Sequence, residues 1–406
     1  MKLTTHKAAP HTRGAFRYDA QMSDTRFLLE VTPRGILSFG PDTEPIQLSA
    51  LNVLIGANGS GKSNLIDVIG LIRATAGDLQ GEFIENGGID QWLWKGQKGL
   101  KFSIEVGVQH NINSLAWTHY IDFSAHPEVM FLEEERITNL ESRKAVYQKK
   151  NLEITIFTNE NKQEKLLLGE INSSQSVISQ LRDPFRYPLL YNLSFFYPRI
   201  RIYREWSFGR KNLLRTPKPT DSRNDFLAED YSNLGLVLSR SGRNPEFKNA
   251  ILEGLRGLYQ GLTGFEVVVE GGTTQIFITE GKFTIPATRL SDGTLRYLCL
   301  LAILCDPKPA PLICIEEPEL GLHPDILTGL AQLLLTAATR TQLIVTTHSE
   351  ILIDALTDHP ESVLVCEKTD GQTQIKRLET DALKTWLTEY RLGQLWMRGQ
   401  LGGTRW

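Results

Sequence analysis

The sequence predicts an α/β fold: a parallel sheet split into two parts, with a β-rich insertion and a helical lobe between them. Three observations predict it. Leu51–Ile55 is an apolar, β-prone run followed by a glycine-rich loop and an amphipathic segment from Lys62. From Leu290 onward, helical spacings alternate with near-continuously apolar runs, the pattern of a sheet covered on both faces. Between the two, residues 101–171 change to strict apolar–polar alternation, as in Phe102-Ser-Ile-Glu-Val-Gly-Val, which predicts antiparallel strands.

At 406 residues the chain exceeds what one core usually supports. Its 41% hydrophobic and 22% charged content is that of an ordinary globular protein, and a net charge of −3 carries no global nucleic-acid signature. Cys299, Cys305, Cys314 and Cys366 have no C-x-x-C spacing and sit in apolar runs, so they read as buried reduced thiols. The N-terminal stretch lacks an apolar signal-peptide core, and runs such as Leu298–Cys305 are too short to span a bilayer. The expectation is a cytoplasmic protein with no membrane contact.

In chain order, residues 1–22 are expected to be a loose extension. Residues 23–100 form the first part of the core, with strands Phe27–Val31, Ile46–Leu48 and Leu51–Ile55, then a helix from Lys62 running out at Gly77. Residues 101–172 are the β-rich insertion. Residues 173–289 are a helical, basic lobe: Ser173–Tyr187 is expected to be helical until Pro184 and Pro188 interrupt it. Helices are expected over Asp230–Ser239 and Pro245–Tyr259, then a hairpin over Phe265–Ile285 turning at Gly271-Gly272. Residues 290–370 complete the core with helices Leu295–Leu304, Asp325–Ala338 and Ile351–Leu356, and strands Leu312–Ile315, Leu343–Thr346 and Val363–Cys366. Residues 371–406 are a tail.

Gly56-Ala-Asn58-Gly59-Ser60-Gly61-Lys62-Ser63 matches G-x-x-x-x-G-K-[ST] in full. Its glycines let successive N–H groups turn inward as an anion nest, and the helix that follows adds its positive end. In that role Lys62 reaches the β- and γ-phosphates and Ser63 holds Mg²⁺, with Asn64 next on the helix. Leu312-Ile-Cys-Ile-Glu316-Glu317-Pro318 puts two acids at the carboxyl end of an apolar strand, where ligands of parallel sheets bind. Glu316 suits a metal or its water shell, and Glu317 suits polarising a water. Leu343-Ile-Val-Thr-Thr347-His348-Ser349 ends a second such strand in a His that could sense a phosphate. Ser291, Asp292 and Gly293 open a helix as a second anion-attracting N-terminus; alone they would simply be a good cap.

Taken in order, GANGSGKSN, LSDGT, ICIEEPELGLHP and TTHS resemble the Walker A, signature, Walker B and switch-His motifs of ABC-type ATPases. The EEPELGLHP and LSDGT wording resembles the SMC/RecF/OLD branch of predicted ATPases, some of which act in DNA repair or anti-phage defence. The resemblance covers roughly the first 75 residues and Leu290–Cys366. It implies an ABC-type P-loop ATPase head that binds ATP and Mg²⁺ and forms a homodimer or higher oligomer. Ser291 and Gly293 of one copy would then close on the phosphate held by Lys62 of the other. Lys62, Glu317 and His348 would serve the chemistry; Gly56, Asn58, Gly59, Ser60, Gly61, Lys62, Ser63 and Asn64 would hold the nucleotide; Ser63 and Glu316 would hold the metal. Glu316 stands where Asp is usual, Asp292 where Gly is common, and Gln91 and Gln109 are candidates for the Q-loop glutamine.

Tyr197–Arg223 interleaves Arg199, Arg201, Arg204, Arg210, Lys211, Arg215, Lys218 and Arg223 with Tyr197, Tyr203, Trp206 and Phe208. It could contact nucleic acid, form a solvated face or dock a partner. The tail Tyr390–Trp406, with two Trp, is expected to dock on the chain's own core, or else on a partner. Only 40 residues follow Cys366, too few for the nuclease domain of OLD-type relatives, so any effector nuclease is expected to be a separate protein. A different reading is a nucleotide sensor or scaffold without significant turnover. A transporter subunit would need a surface for membrane domains, and a structural SMC protein long central heptads; residues 74–289 fit neither.

Overall fold

The computed structural model describes residues 25–96, 101–109, 116–126, 129–150, 153–157, 162–166, 171–206, 209, 213–221, 223–258 and 261–403. The chain enters through β1 (Leu28–Arg34), β2 (Ile46–Gln47) and β3 (Leu51–Ile55), then α1 (Lys62–Ala74), α2 (Leu79–Glu85) and α3 (Ile89–Trp92). A run of strands follows: β4 (Lys101–Gln109), β5 (Ala116–His126), β6 (Val129–Asn139), β7 (Ala145–Lys150), β8 (Glu153–Phe157) and β9 (Gln163–Leu166). Next come α4 (Val177–Gln180), α5 (Pro188–Phe196), β10 (Arg201–Tyr203), β11 (Lys218–Pro219), α6 (Leu234–Ser241) and α7 (Pro245–Leu258). A meander of β12 (Leu262–Glu270), β13 (Thr273–Glu280) and β14 (Phe283–Pro286) leads to α8 (Asp292–Leu304). The second half of the core is β15 (Leu312–Glu316), α9 (Pro324–Ala338), β16 (Gln342–Thr346), α10 (Glu350–Asp354), β17 (Val363–Thr369) and β18 (Gln372–Arg377), followed by α11 (Thr380–Leu383) and α12 (Leu392–Met397).

Three sheets result. The central one has the order β10-β15-β16-β3-β17-β18 and is parallel except for the edge strand β18. Its strands alternate between two cores, as pleating requires. Val53, Ile55, Ile313, Ile315, Leu343 and Val345 face α8, α9 and the helical lobe. Leu54, Leu312, Cys314, Ile344, Leu364 and Cys366 face α1 and the large antiparallel sheet. All four cysteines are buried and unpaired, as expected, and burial raises the thiol pKa of Cys305 to about 11.

The structure differs from the sequence expectations at three places. The strands of the alternating region do not stand apart: β4–β9 continue β1 and β2 in one eight-stranded sheet, because β1 pairs with β4. Pro188 does not interrupt a helix but begins α5, where its missing N–H costs nothing; the helix expected over Ser173–Tyr187 is reduced to the one turn of α4. The third is β10, which the sequence reading did not identify and which forms the edge of the central sheet beside β15. The hairpin does turn at Gly271-Gly272, both at positive φ (56° and 74°) as a tight two-residue turn requires. The expected N-terminal extension lies outside the described residues.

A buried polar network ties the antiparallel sheet to the segment leading into β10. Glu135 on β6 is fully buried and accepts from His119 Nε2 (3.1 Å), the Ser176 hydroxyl and the Val177 N–H (2.9 Å). His119 Nδ1 in turn meets the buried Tyr197 hydroxyl at 3.2 Å, and that hydroxyl's pKa is raised by burial and by Glu135. Removing the hub strands several desolvated groups at once. Glu135→Ala should lower stability by about 3–5 kcal/mol, read as an earlier urea-induced loss of tertiary signal; Glu135→Gln, which keeps the volume and one of the two acceptor oxygens, should cost less.

Candidate functional site

The glycine-rich loop takes its shape from residues on both sides. Gly56, Gly59 and Gly61 have φ of 149°, 77° and 101°, all costly for a residue with a Cβ. Gly61 is also confined: a Cβ there would lie 2.1 Å from Thr373 Oγ1 and 2.7 Å from Ser38 Oγ. Thr373 donates to the Ser60 carbonyl at 2.8 Å, and Asn64 Nδ2 donates to Ser38 Oγ at 2.7 Å, so the loop is braced from the β17–β18 side. Gly61 caps α1 without a side-chain hydrogen bond, which leaves the first helical N–H groups turned to the loop's concavity. The Ser60 hydroxyl is buried without a hydrogen-bond partner, a second feature suited to an oxyanion. Asn58 and Gly59 are exposed at the tip. Lys62 is buried and donates to the carbonyls of Gly56 (2.8 Å) and Ala57 (3.0 Å).

Parallel pairing places the acids. β15 pairs with β16 and β16 with β3, so the carboxyl ends of three strands open on one crevice with the loop. Ser63 Oγ lies 3.1 Å from Glu316 Oε2. Arg204 bridges from β10: its Nη1 is 2.7 Å from Asp67 on α1 and its Nε is 3.4 Å from Glu316 Oε1. Trp206 donates its indole N–H to the Glu316 carbonyl at 2.7 Å. Burial pushes the Glu316 carboxyl above the usual range, partly offset by Arg204 and Ser63. Its Oε2 meets the Ser63 hydroxyl, and its buried Oε1 has the Arg204 ion pair but no hydrogen bond, a carboxylate–hydroxyl pair that fits a hard cation such as Mg²⁺ that takes few protein oxygens.

Glu317 follows in a left-handed conformation (φ 45°), held by its N–H on the Thr346 carbonyl (2.9 Å) and by Arg296 Nη2 on its own carbonyl (2.8 Å). Its carboxylate is 3.7 Å from His348 Nε2. Glu319, not singled out from the sequence, accepts from the His348 N–H and the Thr347 hydroxyl, both at 2.7 Å, and so fixes the loop that carries the histidine. Its signal was present as the third acid of Glu316-Glu317-Pro-Glu319. Arg296 was also missed; it is buried, stacks over Trp206 at 4.5 Å, and burial lowers its pKa to about 10.

Ser291 caps α8, accepting from the Thr294 N–H at 3.1 Å. Gly293 abuts the loop after β15, where a Cβ would sit 2.8 Å from the Gly321 carbonyl. Asp292 is neutralised by an ion pair with Arg215, which also donates to the carbonyls of Ala287, Thr288 and Leu290. Among the described residues these contacts keep Ser291 and Gly293 with Thr294 and Gly321, not with their own phosphate loop.

Of the two candidates for the Q-loop glutamine, Gln91 lies on α3 and lines a cleft with Asn64, and Gln109 ends β4, where its N–H donates to the Phe27 carbonyl. The strand beside β15 is β10, and it delivers Arg204 and Trp206. Several described side chains of the basic–aromatic stretch make contacts within the chain. Tyr197 and Tyr203 are buried, Arg199 stacks on Phe195 and Phe226 (4.6 and 4.9 Å), Arg201 on Phe226 (5.0 Å), and Arg204 and Arg215 serve acids of the site. These arginines have partners within the chain, while Arg204 and Arg223 are also exposed; Phe208, Arg210 and Lys211 lie outside the described residues. The tail docks on the core: Leu392, Leu395 and Trp396 are buried, and the Gly403 N–H donates to Glu367 at 2.9 Å beside Gly56. Trp406 lies outside the described residues. Among the described residues no helix is long and apolar enough to cross a membrane.

Comparison with known proteins agrees with this architecture. The chain is similar over 88% of its length to the whole (99%) of an SMC head crystallised with the C-terminal winged-helix domain of ScpA, at 14% identity and a TM-score of 0.54. An SMC head with an extended coiled coil bound to the C-terminal domain of ScpA, derived from Pyrococcus furiosus, matches over 89% of this chain and 99% of its own, at 13% identity and a TM-score of 0.53. Comparison with curated protein sequences finds no match. The fold is thus that of an ABC-type, SMC-like ATPase head, and a family model described as an AAA domain, putative AbiEii toxin, Type IV TA system, matches residues 51–354, well over half of the sequence. The chain belongs to that family of AAA domains.

Proposed function

We propose that this chain binds Mg²⁺ and ATP at the Gly56–Ser63 loop and hydrolyses it as a dimer. The observation that carries the reading is the convergence of Ser63 with Glu316 at 3.1 Å and of Glu317 with His348 at 3.7 Å around one anion-binding loop. In it, Lys62 exchanges its loop carbonyls for phosphate oxygens, and the open N–H groups of the loop and α1 hold the remaining charge. Ser63 and Glu316 would hold Mg²⁺, which supplies charge neutralisation at the phosphates. Glu317 accepts a proton from the attacking water, its direction set by the bonds to Thr346 and Arg296. His348 contributes a hydrogen bond to the γ-phosphate from a loop pinned by Glu319.

Ser291 and Gly293 stand at the N-terminus of α8, whose positive end supports their reading the γ-phosphate of a second copy across a head dimer. ATP would close such a dimer and hydrolysis reopen it, gating a partner. The family description, which names a toxin of a type IV toxin–antitoxin system, supports a defence role over DNA repair and a protein partner.

Glu317→Gln should lower ATP turnover by about two orders of magnitude or more while ATP binding persists, and mass measurement should find more dimer with ATP than in wild type. Wild-type turnover in this variant would remove Glu317 as the base. Arg204→Ala should lower turnover about tenfold or more by releasing Glu316 and Asp67 from their shared cation, with partial recovery in Arg204→Lys. An unchanged rate and magnesium dependence would show that Arg204 serves packing alone.

A further inference from the structure

Arg215 stands where the basic–aromatic stretch meets the head of α8. It closes the short helical turn Leu213–Arg215, next to the buried Leu214, and its own side chain is only 10% exposed. Its Nη1 donates to the carbonyls of Ala287 (3.2 Å), Thr288 (3.3 Å) and Leu290 (2.6 Å), and its Nη2 to the Asp292 carboxylate. Its Nε is buried with no hydrogen bond. Among the described residues, then, the burial of this cation is compensated by one target: the turn Ala287–Arg289 and the acceptors on either side of Ser291. A planar fork of donors suits that task, since one rigid group can hold several acceptors in a fixed relation.

The target is the loop that opens α8. Ser291 Oγ accepts from the Thr294 N–H and lies 2.8 Å from the Thr294 hydroxyl, which orders the loop from the helix side. Arg215 holds it from the other side, through Leu290 before Ser291 and Asp292 after it. Charge adds a second effect. Asp292 is the outer member of the ion pair, 58% exposed and at the first position of α8, beside Ser291 and Gly293. A bare carboxylate there would repel a triphosphate; with the guanidinium behind it, the pair presents no net charge.

We propose that Arg215 is a positioning residue for the ATP-dependent pairing of two copies of this chain: it sets the backbone of Leu290–Gly293 and cancels the charge of Asp292, so that this loop can meet the γ-phosphate held by the other copy. The proposal rests on the dimer reading given above. It divides the basic stretch by task, with Arg204 serving the nucleotide site of its own chain and Arg215 that of the second copy.

Mixing two inactive variants tests this division. Arg215→Ala should bind ATP with magnesium as wild type does, because its Gly56–Ser63 loop is untouched, yet turn it over about tenfold or more slowly. Placed in a Glu317→Gln chain, it should abolish the ATP-dependent gain in dimer mass. Arg215→Lys, which keeps the charge without the fork, should fall between the two, and Asp292→Asn added to Arg215→Ala should restore part of the dimer. Mixed with Lys62→Ala, whose own loop is disabled but whose Ser291 loop is intact, Arg215→Ala should regain turnover that neither variant has alone, since each mixed dimer contains one complete site. No recovery on mixing, or a loss of ATP binding by Arg215→Ala, would overturn the inference by showing that the residue serves the fold of its own chain. Wild-type turnover in Arg215→Ala would overturn it as well. Wild type that neither hydrolyses ATP nor gains mass with it would refute the dimer reading on which the inference rests.

Discussion

The side chain of Glu316 stands where four elements meet. It ends β15, touches Ser63 at the start of α1, faces Arg204 from β10, and its main chain carries the indole hydrogen bond of Trp206. A half-buried carboxylate is costly unless its acceptors are answered, and here the answers come from segments far apart in the chain. Loop, central sheet and edge strand must all be in place for that charge to be tolerated. The same arrangement gives Oε1 the Arg204 ion pair without a hydrogen bond and sets Oε2 against the Ser63 hydroxyl.

A second set of contacts joins the acids to α8. Arg296 on α8 holds the Glu317 carbonyl and stacks on Trp206, while Gly293 at the head of the same helix leaves room for the Gly321 carbonyl just beyond β15. A shift of α8 would therefore be felt at Glu317 within one chain. The buried network of Glu135, His119 and Tyr197 anchors the segment entering β10 in the same way, connecting the antiparallel sheet to the strand that presents Arg204. These are fixed hydrogen bonds between rigid elements, the kind of contact through which a two-state head could couple its parts.

The Gly56–Ser63 loop was legible in the sequence because its conformation demands glycine where φ is positive, and the sequence supplies it at Gly56, Gly59 and Gly61. The strands β3, β15, β16 and β17 were legible because both of their faces are buried, which forces continuous apolar runs. By contrast, nothing local in the sequence told the place of Arg204, Trp206 and Arg296 in the site, and Glu319 was marked only as a third acid after Glu316 and Glu317. Each is a polar or aromatic residue whose partners lie tens to hundreds of positions away, and a basic–aromatic run reads the same whether it faces a ligand or a carboxylate of its own chain.

The sequence by itself thus determined the local backbone chemistry: which loop curls around an anion, which strands are buried, and that Ser291 caps a helix. Only the tertiary structure decided the neighbours. It made β10 the companion of β15, merged β4–β9 with β1 and β2, and gave Arg199, Arg201, Arg204 and Arg215 partners within the chain. The physical reason is that hydrophobic burial and backbone geometry are written in short periods along the chain. The pairing of an isolated charge depends instead on which distant segment the sheet order brings beside it.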